Sequence, residues 1–156
     1  MTATETSLRQ VREATVRRHY EAENRHDLDA LLSTFSGAKT SYDIPAFGEA
    51  GQLRGAAAVR EMWEGLLVAF PDIHHEVIRL RHGDDFVLVE YEVTGTQQAD
   101  WAGIPASGRP FSIRVAAVYE FEGDQLVCER VYTDVADWAR QLGSGPGRSA
   151  DSPGAP

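Results

Sequence analysis

Apolar side chains change their spacing once along this 156-residue chain, near Pro71. Before Pro71 they recur at three- and four-residue intervals, which is the spacing of an amphipathic helix. After it, apolar and polar residues alternate, as they do in strands that bury one face. The pattern therefore predicts helices first and a sheet second, which is the order of an α+β domain.

Three helices are predicted before Pro71. The first starts at Ser7, and its apolar stripe consists of Leu8, Val11, Thr15, His19 and Ala22. Asp27 is placed to cap the second helix, whose apolar face consists of Leu28, Leu31, Leu32 and Phe35. The third helix spans residues 55–69, and Pro71 ends it because proline has no N–H to donate to the helix.

The remaining chain is predicted to be mainly sheet. Residues 39–45 form a short strand that stops at Pro45, and a glycine-rich loop continues through Gly55. After the third helix, four strands form an antiparallel meander over residues 74–80, 86–96, 111–121 and 126–133. A short helix then closes at Gly143, because glycine readily adopts the left-handed conformation that ends a helix.

Composition adds limits to this picture. The length suits one domain, which we assign to residues 7–143, and we expect residues 1–6 and 144–156 to be flexible because they are polar and of low complexity. The net charge of −9 argues against nucleic acid or an anionic membrane as partner. The lone Cys128 cannot form an internal disulfide, and the N-terminus has no apolar signal segment, so we expect a cytoplasmic protein.

Five segments carry a resemblance to a known family. They are HYEAENRHDLDALLSTF (19–35), RGAAAVREMW (54–63), AFPDIHHEV (69–77), VTGTQQADWAGIPASGRPF (93–111) and GDQLVCERVYTD…RQLG (123–143). In combination they resemble the SnoaL-like polyketide cyclases of the nuclear-transport-factor-2-like superfamily. The resemblance implies a cone in which a curved antiparallel sheet wraps around about three N-terminal helices and encloses a pocket, with a short C-terminal helix. It also implies a homodimer formed through the outer sheet face.

The same resemblance implies a function. The chain would be a cofactor-free enzyme that closes a ring in a small, apolar, oxygenated polyketide by acid/base catalysis, as in an intramolecular aldol reaction. In the family, an aspartate at the position of Asp134 moves a proton next to a carbonyl, and burial at a pocket wall would raise its pKa toward neutrality. Asp134 could instead cap the helix that follows it. Isomerase, epoxide hydrolase and non-catalytic binding protein remain alternatives on this scaffold.

Strand pairing predicts which side chains share a face with Asp134. A two-residue turn at 123–124 pairs Tyr119 with Cys128, which puts Asp134 on one face with Arg130, Tyr132 and Tyr119. A bulge near the turn would shift this register by one residue and reverse the assignment.

The histidines are the other candidates for acid/base chemistry. The turn at 82–85 predicts that His74 lies on the apolar, concave face and that His75 points outward. His74 is therefore a second catalytic candidate, whereas His19, inside an apolar helical stripe, is more simply a core residue. Because His74 and His75 point to opposite faces, they cannot chelate a metal together, and we predict no metal site.

A set of polar and aromatic side chains could bind the substrate. Tyr20 matches a family tyrosine on the first helix, and Gln97 stands where relatives have a histidine. Arg130 could pair with a substrate carboxylate or with Asp134, and in the second case it would lower the pKa of Asp134. The full set is Tyr20, Tyr42, Trp63, Tyr91, Gln97, Tyr119, Arg130 and Tyr132. No nucleotide-binding motif is present, and we predict no cofactor.

Overall fold

The structure, a computed structural model, describes the backbone of residues 3–143 and the side chains of residues 7–143. In chain order its helices and strands are α1 (Ala3–Asn24), α2 (Leu28–Leu32), β1 (Ser41–Asp43), β2 (Gln52–Arg54), α3 (Ala56–Ala69), β3 (His74–His82), β4 (Phe86–Thr96), β5 (Pro110–Glu122), β6 (Gln125–Thr133) and α4 (Val135–Leu142). Helix α1 begins four residues before its predicted start. The predicted flexibility of residues 1–2 and 144–156 lies outside the described residues.

The helices form where the apolar spacing predicts them. The Asp27 carboxylate caps α2 by accepting a hydrogen bond from the Ala30 N–H at 3.0 Å. Helix α3 matches the predicted range of 55–69 and buries Val59 and Trp63 against the core. Within the described residues, no helix combines the length and the apolar character that a membrane span requires.

The sheet has six strands in the order β2-β1-β6-β5-β4-β3, and it is curved and unclosed. The predicted antiparallel meander is confirmed as β3 to β6. Strand β1 extends it by running parallel to β6, and β2 pairs with β1. Strand β2 and a 3-10 segment at Pro45–Gly51 lie where we predicted only a loop, because three residues are too few to show a strand period. The predicted α+β fold is thus confirmed.

A β-bulge in β6 determines which of its side chains face inward. Phe121 pairs with Leu126 as predicted, but Val127 is an extra residue. Tyr119 consequently pairs with Glu129 and not with the predicted Cys128. The bulge reverses the predicted facing of all later residues of β6, since a one-residue shift moves each side chain to the opposite face.

A second bulge has the same effect in β3. Val77 pairs with Tyr91 and Arg79 pairs with Glu90, so Ile78 is the extra residue. His75 therefore lies opposite Val93, on the buried side, and His74 is exposed. The predicted orientation of these two histidines is wrong, and the bulge is the physical reason.

Candidate functional site

A cavity of about 160 Å³ opens between the concave face of the sheet, α3 and the 3-10 segment. Most of its wall is apolar and consists of Ile44, Phe47, Leu53, Met62, Leu66, Ile73, Val93, Trp101, Val115, Val131 and Trp138. The polar side chains in the wall are Tyr42, Trp63, His75 and Thr133. An apolar cavity with a few polar groups is the usual form of a small-molecule site.

Two of these polar side chains lack a hydrogen-bond partner. The indole Nε1 of Trp63 and the imidazole Nδ1 of His75 are buried and bond to nothing among the described residues. Buried polar atoms are nearly always paired, so each such atom calls for an explanation. Trp138 offers a contrast, because its Nε1 donates to Thr133 Oγ1 at 2.8 Å. A ligand oxygen in the cavity would give Trp63 the partner that it lacks.

A buried cluster of His19, Glu23 and Glu129 lies next to this cavity. The Nε2 atom of His19 is 2.9 Å from a Glu129 oxygen and 3.2 Å from a Glu23 oxygen. Thr34 Oγ1 donates to the Leu31 carbonyl, so it accepts the hydrogen bond from His19 Nδ1–H at 2.6 Å. With Nδ1 protonated and Nε2 facing two carboxylates, His19 is best described as an imidazolium.

The charges in this cluster shift the pKa of each partner. Burial alone would lower the pKa of His19, but the charge and hydrogen bond of Glu129, together with Glu23, raise it to about 10. Burial and the negative charge of Glu129 raise the pKa of Glu23 to about 7. Glu23 is thus the carboxyl group that exchanges its proton near neutral pH.

His75 connects this cluster to the cavity. Its ring lines the cavity, and its Nδ1 is 4.0 Å from a Glu23 oxygen. Burial lowers the pKa of His75 to about 3, and the charges of His74 and His19 act in the same direction. His75 therefore stays neutral near pH 7 and presents one N–H and one lone pair.

Three buried tyrosines surround the cluster. The hydroxyl groups of Tyr91 and Tyr119 share a hydrogen bond of 2.5 Å in the core, and Tyr42 lines the cavity. Burial, together with the charges of Glu129 and Glu23, raises the pKa of all three hydroxyl groups. All three remain neutral phenols, and the Tyr42 hydroxyl is hydrogen-bonded to Glu129.

The predicted catalytic residues lie outside the cavity wall. Asp134 is exposed and caps α4 by accepting a hydrogen bond from the Asp137 N–H at 3.0 Å. Asp134 follows β6 on the outer side of the sheet, because the bulge at Val127 reverses which side chains of β6 lie on the concave face. His74 is exposed as well. The structure brings neither of them to the cavity.

The predicted substrate-binding residues divide into three groups. Tyr42 and Trp63 line the cavity. Tyr91, Tyr119 and Gln97 are buried beyond its wall, and Gln97 bonds the loop that contains it through the Ile104 carbonyl and the Ser107 hydroxyl.

The third group does not line the cavity. Tyr20 is half-buried and accepts a hydrogen bond from Arg17. Arg130 pairs with Asp43 and Glu120 on the outer face and does not contact Asp134. Tyr132 lies on that face as well, with half of its surface exposed.

Sequence reasoning missed the acidic part of the site. Glu23 is absent from the predicted site, although its position four residues after His19 puts both side chains on one side of a helix. Glu129 is absent as well, because the predicted register places Cys128 opposite Tyr119, where Glu129 lies. An acidic residue on an apolar helical stripe beside a histidine is the signal that could have revealed the cluster.

Comparison with known proteins identifies the family. The sequence profile described as the SnoaL-like domain matches residues 16–129, and the chain belongs to this family. The resemblance stated from the sequence is thus confirmed. A search of curated proteins gave no match.

Solved structures share the fold. A candidate polyketide cyclase from Xanthomonas campestris pv. campestris is 22% identical with a TM-score of 0.77, and the match covers 87% of this chain and 99% of that one. A candidate hydroxylase from Streptomyces galilaeus, AclR, is 24% identical with a TM-score of 0.72, covering 86% and 97%. An NTF2-like protein of unknown function from Burkholderia pseudomallei is 19% identical with a TM-score of 0.72, covering 85% and 98%. These likenesses establish a nuclear-transport-factor-2-like fold.

Proposed function

We propose that this protein is a cofactor-free acid/base enzyme that closes a ring in a small, apolar, oxygenated substrate of the polyketide type. The observation that carries the proposal is the unpartnered Trp63 Nε1–H in the wall of an otherwise apolar cavity, with the neutral imidazole of His75 in the same wall. The family and the neighbours described as candidate polyketide cyclases support the substrate class. The ring closure itself is proposed as an aldol reaction.

Binding would begin with the substrate carbonyl. Trp63 Nε1–H donates to the carbonyl oxygen from its place on α3. Donors aimed at an oxygen that becomes negatively charged stabilise the enolate more than the ketone, and this difference lowers the barrier. The apolar wall keeps water from the enolate while it forms.

Bond formation then follows from the enolate. A base at the cavity wall removes the proton next to the bound carbonyl, and the enolate carbon attacks a second carbonyl carbon of the same molecule. The new C–C bond closes the ring, and the resulting alkoxide takes back a proton. His75 is the imidazole in the wall that can accept and return this proton in our proposal.

The alternatives differ in what they require. Epoxide opening needs carboxylates and an arginine around one water, and the described cavity wall has no aspartate, glutamate or arginine. Isomerisation shares the enolate and differs only in where the proton returns. A binding protein would hold a ketone without exchanging its α protons. The homodimer and the cytoplasmic location remain predictions.

Binding of a matched pair of probes tests the proposal. Acetophenone carries a carbonyl, and α-methylstyrene replaces that oxygen with a methylene group of similar shape. All three tryptophans of the chain line the cavity, so intrinsic fluorescence reports occupancy. In Trp63→Phe, which keeps a ring and removes the N–H, the preference for acetophenone over α-methylstyrene should fall about 5- to 30-fold, as expected for one buried hydrogen bond.

Trp138→Phe is the matched control. Trp138 lines the same cavity, but Thr133 already accepts its N–H, so the preference should not change in this variant. An equal preference in the wild type and in Trp63→Phe would refute the role of Trp63 as carbonyl donor.

A further inference from the structure

A line of buried titratable groups leads from the cavity into the core. His75 Nδ1 lies 4.0 Å from one Glu23 oxygen, and the other Glu23 oxygen lies 3.2 Å from His19 Nε2. Glu129 contacts the same His19 nitrogen at 2.9 Å. The side chains of Glu23, His19 and Glu129 are at most 3% exposed, and that of His75 is 11% exposed.

We propose that Glu23 is the positioning residue that makes His75 competent as a base, by accepting the His75 Nδ1 proton while the other ring nitrogen takes a proton from the substrate. This inference rests on the proposed function. Glu23 would act through His75 without touching the substrate. About 1 Å of side-chain movement would bring the 4.0 Å separation to hydrogen-bond length.

The proton balance of this step removes a difficulty for His75. Burial makes its imidazolium unfavourable, and a simple base with a pKa of about 3 would be weak. In the relay, the substrate C–H proton goes to His75 Nε2 as the Nδ1 proton goes to the Glu23 carboxylate. The substrate becomes an enolate, Glu23 becomes a neutral acid, and His75 changes tautomer without gaining charge. Reversal of both transfers protonates the ring-closed alkoxide.

The surroundings favour Glu23 as the end of the relay. Glu23 faces both His75 and His19, whereas Glu129 faces His19 and the Tyr42 hydroxyl and does not reach His75. With His19 as imidazolium and both carboxylates ionised, the cluster holds one net negative charge. A proton taken up by Glu23 neutralises that charge in a buried place, which is favourable.

The remaining groups around Glu23 do not compete for this proton. They are the hydroxyls of Tyr42 on β1, Tyr91 on β4 and Tyr119 on β5, whose pKa values burial raises. His19 on α1 already carries its proton in this pH range because its pKa is about 10. The exchange near neutral pH therefore belongs to Glu23, whose pKa is about 7.

NMR of the full chain tests the coupling without a substrate. With ¹⁵N-labelled histidine and ¹³C-labelled glutamate, the carboxyl signal absent from Glu23→Gln identifies Glu23. The His75 ring nitrogens should report a change of tautomer with the same midpoint, near pH 7, as that carboxyl signal in the wild type. In Glu23→Gln the His75 change should disappear.

A surface pair provides the control. Glu13 lies 3.2 Å from His82, so Glu13→Gln removes a carboxylate beside a different histidine and should leave the His75 titration unchanged. The proposal is overturned if the His75 signals stay constant while Glu23 titrates in the wild type. This comparison uses the wild-type protein alone, so it holds even if Glu23→Gln folds poorly. If acetophenone fails to bind while His75 follows Glu23, the proposed function fails and the coupling stands. If acetophenone binds and the His75 ring signals do not change as Glu23 titrates, only the coupling fails.

Discussion

The charge of His19 should make the fold lose stability on the alkaline side. His19 is fully buried, and its folded pKa of about 10 lies above its ordinary value of 6.5. The folded state therefore holds a proton that the unfolded chain has lost. The stabilisation is complete below the unfolded pKa and is lost as the pH rises toward about 10.

The size of the effect follows from linkage. One such proton lowers the free energy of unfolding by about 1.4 kcal/mol per pH unit, so a rise from about pH 7 to about pH 8.5 should cost about 2 kcal/mol. His19 supplies most of the slope in this window. The pKa of Glu23 is raised to about 7, so its stabilisation is lost as the pH rises from about 4.5 to about 7, and only the end of that loss falls in the window. The pKa of His75 is lowered to about 3, so its stabilisation is lost as the pH falls below about 6.5, outside the window. Burial raises the thiol pKa of Cys128 above 9.0, beyond the window.

Urea unfolding followed by circular dichroism at a series of pH values measures the slope. His19→Gln leaves two buried carboxylates without their cation, so it should lower stability at neutral pH by about 3–5 kcal/mol. His82→Gln, which changes a histidine near the surface, should keep the wild-type slope. A wild-type free energy of unfolding that is constant over this range would refute the charged state assigned to His19.

Two further substitutions have distinct expected effects. Asp134→Ala should cost about 1 kcal/mol of stability by removing the α4 cap and should leave acetophenone binding unchanged. Thermal unfolding measures the stability, and fluorescence titration measures the binding. Loss of acetophenone binding at full stability would contradict a purely capping role. Gly51→Ala would place a Cβ against the Ile44 carbonyl oxygen in the 3-10 segment beside the cavity, so both stability and acetophenone affinity should fall. The neighbouring substitution Ala50→Gly serves as the control. Unchanged binding in Gly51→Ala would contradict a rigid cavity wall at this position.

Most of the fold could be predicted because periodicity reports burial directly. The stripe on α3 and the alternation in β4 and β5 each extend over ten or more residues, enough to fix the type of element. The three-residue strands β1 and β2 offer no such period. Strand β2 lies in a glycine-rich segment that predicts a loop. It forms because it pairs with β1, and the local sequence does not encode that contact.

The candidate site was harder to predict, because one extra residue in each of two strands determines which side chains face the cavity. The bulges at Val127 and Ile78 bring Glu129 and His75 inward. Neither bulge has a sequence signal such as glycine, and each reverses every side chain beyond it. Tyr42 and Trp63 were predicted as binding residues and do line the cavity. For Trp63 the reason is that the periodicity of α3 alone determines which of its side chains are buried.

Exchange of α protons is the measurement that tests the central claim most directly. Acetophenone at a concentration that saturates the cavity is incubated with the protein in D₂O near neutral pH, and loss of its methyl proton signal is followed by NMR. We expect exchange about 100-fold or more above the buffer rate, the usual contribution of a positioned base, and a return to the buffer rate in Glu23→Gln with acetophenone still bound. Exchange at the buffer rate with the wild-type cavity full would contradict acid/base catalysis at this site.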